Sequence, residues 1–173
     1  MRNIQRRQID APVDSVGDLL DQLATRIWPT PPWSPLILSN GLHPGSSGGH
    51  GRIRYSVECH EPGRRVRFRF DPAIGLTGWH ELRVESLGPA RCALVHETEG
   101  RLRGRMHLVW PLVIRWLHEA LLADLLDNAE RVATGQVKPK SQEPLGVRVA
   151  RRLRGPASKA THLPANDQPP APR

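Results

Sequence analysis

The spacing of apolar residues divides the chain into segments of different period. Asn3–Asp10 reads as a first strand, and Pro12 opens a helix whose apolar stripe is Val13, Val16, Leu19, Leu20 and Leu23. Proline suits an early helical position, and Asp14 and Asp18 favour the positive end of the helix dipole. Pro29, Pro31 and Pro32, between Trp28 and Trp33, stop the helix because proline has no amide hydrogen to donate. Leu36–Leu38 is expected to be a short strand, and Gly41–Gly51, rich in Gly and Ser, a flexible loop.

From Arg52 the period is two. Ile53, Tyr55, Val57 and Cys59 share one face of Arg52–Glu61, and Val66, Phe68 and Phe70 share one face of Arg65–Asp71. Pro62-Gly63 between them predicts a hairpin. Pairing Cys59 with Val66 sets Val57 against Phe68 and Tyr55 against Phe70. On the other face it sets Glu58 against Arg67 and Arg54 against Asp71, so both faces agree on one register. Leu76–Leu87 and Arg91–Arg103 form a second hairpin about Gly88-Pro89. Pairing Ser86 with Cys92 aligns Val84 with Leu94, Leu82 with His96 and His80 with Thr98, all facing the interior.

From about Arg105 the pattern is helical, with Leu112, Trp116, Ala120, Ala123, Leu126, Ala129 and Val132–Ala133 running along it and Gly135 as its stop. Pro111 marks either the first turn of this helix or a kink. The order of strand, helix, antiparallel strands and long C-terminal helix is α+β, a curved antiparallel sheet folded against a helix.

Gly49–Phe70 (GHGRIRYSVECHEPGRRVRFRF), Gly75–Glu85 (GLTGWHELRVE) and Arg101–Glu130 together resemble the SRPBCC proteins. This is the START-like, helix-grip superfamily that includes polyketide cyclases/dehydrases and lipid carriers. The resemblance spans residues 1–135. It implies a sheet wrapped around the long C-terminal helix, with a deep apolar cavity between them for a hydrophobic small molecule. The superfamily has no universal catalytic motif, so no catalytic residue is carried over.

The residues expected to line such a cavity are Tyr55, Val57, Phe68, Phe70, His80, Leu82, His96, Thr98 and Trp116. His80 and His96, diagonal on neighbouring strands, would orient a carbonyl or hydroxyl, or move a proton in an aldol cyclisation. The simpler reading is a pair of hydrogen-bonded core or rim histidines. Trp28, Trp33 and Trp110 suit a wet–dry boundary at a cavity mouth.

A metal is not expected. His is followed by Glu at His60-Glu61, His80-Glu81, His96-Glu97 and His118-Glu119, but neighbours on a strand point to opposite faces. On the helix, Leu122 occupies the position where a second His would be needed. Cys59 and Cys92 read as small interior hydrophobes, and nothing calls for a cofactor.

Two function classes fit these residues, and the absence of any Asp or Glu on the expected interior face, where a general base could help, favours the first. One is binding or carriage of a hydrophobic or amphipathic molecule. The other is a polyketide aromatase/cyclase-type enzyme using the cavity histidines.

Charge adds a third. The 173 residues carry 25 Lys+Arg against 17 Asp+Glu, a formal charge of +8. Residues 136–173 hold eight Lys or Arg against Glu143 and Asp167, so +6 belongs to this tail and +2 to residues 1–135, which contain no lysine. The tail's seven prolines and few large apolar residues predict disorder, apart from a short basic amphipathic helix over Leu145–Arg154. Weak contact with an anionic surface is expected of it, without specific nucleic-acid recognition. The arginine strands (Arg52, Arg54, Arg65, Arg67, Arg69) read as a solvated outer face paired with acids such as Glu81.

Leu108–Leu126 is interrupted by Arg115, His118, Glu119 and Asp124 and does not read as a membrane span. With no N-terminal apolar leader, a cytoplasmic location is expected.

Overall fold

The computed structural model describes residues 1–138. The expected tail, with its Leu145–Arg154 helix, lies almost entirely outside the described residues. Seven strands form one antiparallel sheet: β1 (Arg2–Ile9), β2 (Ile37–Leu42), β3 (Ser47–His50), β4 (Ile53–Glu61), β5 (Arg65–Phe70), β6 (Leu76–Gly88) and β7 (Arg91–Leu102). Their order is β1-β7-β6-β5-β4-β3-β2. Helix α1 (Val13–Asp21) follows β1, with Pro12 at its N-cap, and passes into one π turn over Leu23–Ile27. The C-terminal helical segment comprises α2 (Met106–Val109), a π turn (Trp110–Ile114) and α3 (Arg115–Thr134). Sheet and helices bury one core in which Ile9, Val16, Leu20, Val66, Phe68, Leu94, Leu125 and Ala129 are almost wholly enclosed.

The β6–β7 hairpin has the expected register throughout, with Ser86 opposite Cys92, Val84 opposite Leu94, Leu82 opposite His96 and His80 opposite Thr98. In β4–β5, Tyr55 faces Phe70 and Val57 faces Phe68 as expected, but a bulge at Glu58 shifts the pairing beyond it by one residue. Cys59 therefore lies opposite Arg67, not Val66, and His60 takes the place opposite Val66. Glu58 pairs with Arg69 instead of Arg67. Arg54 stays opposite Asp71, whose amide donates to the Arg54 carbonyl at 3.0 Å, and the Arg54 guanidinium bonds the Gly51 and Ile53 carbonyls. The bulge has a visible anchor. His60 Nε2 lies 2.8 Å from Asp21 Oδ1, while Asp21 Oδ2 accepts the Gly63 amide at 2.8 Å, so the end of the hairpin is tied to α1. Gly17 permits this approach: a Cβ there would lie 2.3 Å from the Gly63 carbonyl oxygen.

The expected loop over Gly41–Gly51 is instead partly a strand. β3 pairs with β2 and β4, and a Cβ on Gly48 would meet the Ile37 carbonyl oxygen at 2.0 Å. Glycine here serves close strand approach, an alternative to flexibility that composition does not separate.

Pro111 does not start the C-terminal segment, which begins at Met106. It lies within the π turn, whose widened hydrogen-bond ring tolerates the missing amide. Gly135 closes α3 in the left-handed conformation (φ 76°). Arg7 of β1 clamps the far end of α3 through the buried Glu130 (2.7 Å) and through Asp127.

The outer sheet face is a charge network. Arg67 and Glu81 are 2.7 Å apart, Arg83 reaches Glu97 at 2.9 Å and Glu85 at 3.0 Å, and Arg2 reaches Glu97 at 2.7 Å. The arginine strands are thus largely neutralised by their own neighbours.

Candidate functional site

Under the N-terminal half of the C-terminal segment the sheet and helix do not close. A cavity of about 240 Å³ remains, walled by Phe70, Leu76 and His80 from the sheet and by Trp110, Ile114, Leu117, His118 and Leu121 from the helix. Pro32, Trp33, Ser34, His50, Gly51 and Arg52 complete it, the loop residues among them lying at the exposed mouth. The Pro-rich bend is fixed where it stands: Trp33 Nε1 donates to Asp124 of α3 at 2.8 Å, and Trp28 Nε1 to the Ser34 carbonyl at 2.9 Å. A deeper pocket of about 20 Å³, room for about one water molecule, shares His50, His80, His118 and Leu121 with it. Tyr55, Phe68, Leu82 and His96 line this deeper end.

The aromatic side chains of β4–β7 hold His80 from several sides. Phe68 and Phe70 stack on it at centroid distances of 4.8 and 4.9 Å, and Tyr55 meets it edge-on at 4.8 Å. His96 lies 5.6 Å from His80, and His118 of α3 stands 5.2 Å from His96. His50 Nδ1 and the Tyr55 hydroxyl share a hydrogen bond of 2.9 Å. No Asp or Glu contributes to either cavity wall.

This largely apolar, acid-free setting keeps the imidazoles neutral. Loss of hydration pushes His80 and His96 well below the usual histidine range, helped by the nearby His118. The same cause lowers His118 to about 4 and His50 to about 4, with His50 and Arg54 respectively adding repulsion. Burial raises the Tyr55 phenol, which stays protonated. Burial likewise raises the thiol of Cys92. His80 Nε2, His96 Nδ1 and Thr98 Oγ1 are buried without a hydrogen-bond partner among the described residues. Buried polar atoms are usually paired; Asn3 Oδ1 and Arg65 Nε share this state elsewhere on the sheet.

Of the residues expected at a cavity, Phe70 and His80 line the larger chamber, and Tyr55, Phe68, Leu82 and His96 the deeper one. Val57 and Thr98 are buried but belong to neither wall. Trp116 is displaced: it lies on the outer side of α3 under the Arg115 guanidinium, 5.4 Å from its ring centroid. Leu112, on the same expected stripe, is 72% exposed. The expected stripe holds from Ala120 to Ala129, where Ala120, Ala123, Leu126 and Ala129 are buried, and departs at Leu112 and Trp116, in and just after the π turn.

His50 and His118 were missed as wall residues. For His118 the signal existed in the spacing Ile114, Leu117, His118, Leu121, Leu125, a helical stripe one can extend back from the buried end. Among the described residues, no three His, Cys, Asp or Glu side chains are arranged to hold a metal ion.

No family model matches this sequence, and no curated protein matches it. Solved structures do. Norcoclaurine synthase from Thalictrum flavum superposes with a TM-score of 0.60 at 11% identity, covering 78% of this chain and 94% of that one. CalU16 from Micromonospora echinospora gives 0.55 at 20% identity, covering 87% and 82%. The di-domain ARO/CYC protein BexL gives 0.56 at 19% identity over 78% of this chain, which spans about half of that one (48%). The chain has the helix-grip fold. At these identities the likeness establishes the architecture alone, a sheet and a helix with the cavity described above between them.

Proposed function

We propose that the protein is an enzyme that binds an apolar, carbonyl-bearing aromatic or polyketide-like molecule and promotes proton transfer on it, with residues 1–135 as the functional unit. The observation that carries this is the set of neutral histidines, His80 and His118 foremost, on the wall of an apolar cavity that offers no carboxylate. A carbon between or beside carbonyls is a weak acid whose conjugate base is an enolate. A neutral imidazole is the form able to take that proton. The imidazolium then pairs with the enolate, which restores the basicity that burial removed, and the proton returns at another atom. Two structural neighbours support the substrate class: norcoclaurine synthase has been seen with dopamine and hydroxybenzaldehyde, an arylethylamine and an aromatic aldehyde, and BexL is an ARO/CYC protein.

The test uses 2-acetonaphthone, an apolar aromatic ketone, in D2O. The expected result is protein-dependent exchange of its α-protons, followed by NMR, reduced roughly 10²- to 10⁴-fold in His80→Asn/His118→Asn. A ketone that binds but exchanges no faster than in buffer would leave a carrier, and native mass spectrometry of the purified protein would then identify its cargo.

A further inference from the structure

The helix that roofs the cavity has a second apolar face, pointing the other way. Leu108 is 70% exposed, Leu112 72% and Val113 51%, with Val109 also exposed and Trp116 half-buried beside them. Arg105, Leu108, Val109, Leu112 and Trp116 recur at helical spacing. Trp110, Ile114, Leu117 and His118 occupy the opposite side, on the cavity wall. Clustered exposed apolar side chains on one stripe are unusual on a protein surface and mark a contact.

The charge beside the stripe says with what. Arg101, Arg103 and Arg105 lead directly into it, all exposed, and none of their side chains has an acidic partner among the described residues. This contrasts with the outer sheet face, where Arg67 and Arg83 are held by Glu81, Glu85 and Glu97. Unpaired arginines bordering exposed leucines, with a tryptophan at the far end, form an interfacial helix: basic groups for headgroups, leucines for the acyl boundary, indole for the zone between. We infer that the Arg101–Trp116 segment docks on an anionic phospholipid bilayer, laying its outer face into the headgroup boundary while its inner face borders the cavity mouth. An apolar ligand then passes between bilayer and cavity along a helix that touches both.

This inference does not depend on the chemistry inside the cavity. The test is flotation of the full-length protein with vesicles of phosphatidylcholine containing about one-third phosphatidylglycerol, against phosphatidylcholine alone. The expected result is binding to the anionic vesicles only. Leu108→Ser/Leu112→Ser is expected to weaken it at least about tenfold, and Arg103→Gln/Arg105→Gln by about fivefold per charge. Both variants alter exposed positions, so the thermal midpoint and 2-acetonaphthone binding in buffer stay at wild-type values. Three results would overturn the inference: no binding to anionic vesicles; binding unaffected by the leucine substitutions, which would assign it to the basic tail; or a wild-type dimer in solution that the leucine substitutions dissociate, which would assign the stripe to a second copy of this chain.

Discussion

The two faces of the β5–β7 sheet carry alternate residues of the same strands and follow opposite rules. Outside, Arg67, Glu81, Arg83 and Glu97 each have an opposite charge within 4 Å. Inside, His80, His96 and Thr98 are uncharged, enclosed, and leave a polar atom without a partner. The dipeptides His80-Glu81 and His96-Glu97 divide between the faces, histidine inward and glutamate outward. The lesson is about where stability and function are placed. Charges that hold strands together face outward, where part-exposed arginines cover the buried carboxylates of Glu81 and Glu97. Of the polar groups left incomplete, His80 borders the larger chamber, His96 the small deeper pocket, and Thr98 neither.

The largest effect should come from the inner wall. Phe68 is buried between Tyr55 and His80, and Phe68→Ala should cost about 3–5 kcal/mol in urea unfolding. A loss under about 1 kcal/mol would mean the wall is not packed as described.

Acid comes next. The unfolded chain takes up protons on its histidines near their ordinary value of about 6.5, while the folded chain resists, with His50 and His118 near 4 and His80 and His96 also held well below the ordinary range. The unfolded state therefore binds more protons across this window, and stability falls as pH drops from about 6.5 towards 4. Denaturant midpoints measured at several pH values check this, and a flat profile there would contradict the neutral interior. Replacing His96 by Phe should flatten the slope.

The outer face should respond less. Glu81 is itself buried but its arginine partners are part-exposed, so Glu81→Ala should cost about 1–2 kcal/mol, a penalty that shrinks at high salt. The smallest change has the opposite sign. Thr98→Val removes an unpartnered hydroxyl and keeps the shape, so stability should rise by up to about 1 kcal/mol. A clear loss would show that the hydroxyl has a structural partner.

The sequence made the two hairpins and most of their pairings legible, because alternation on both faces constrains a strand twice. The curved sheet against a long helix came from their order, and the helix-grip reading from the family resemblance. The Glu58 bulge was not legible, since its cause is a distant anchor, Asp21, holding His60 and Gly63. Nor was the strand over Ser47–His50, whose glycines look the same whether they serve a loop or close backbone contact. Half of the site was legible for the same reason as the hairpins: Phe70 and His80 sit on strands of known register. The helical half, with His118, was not, because Leu108–Leu117 is apolar on both faces and only the fold decides which one meets the cavity.

The central claim is that the cavity keeps its histidines uncharged and available to a ligand. Nitrogen-15 NMR of the imidazole rings across a pH titration tests it most directly. The account predicts that His80 and His96 are still neutral at the pH where an ordinary histidine is half protonated, about 6.5, and that His118 titrates near 4. Titration of His80 and His118 at about that ordinary value would contradict it.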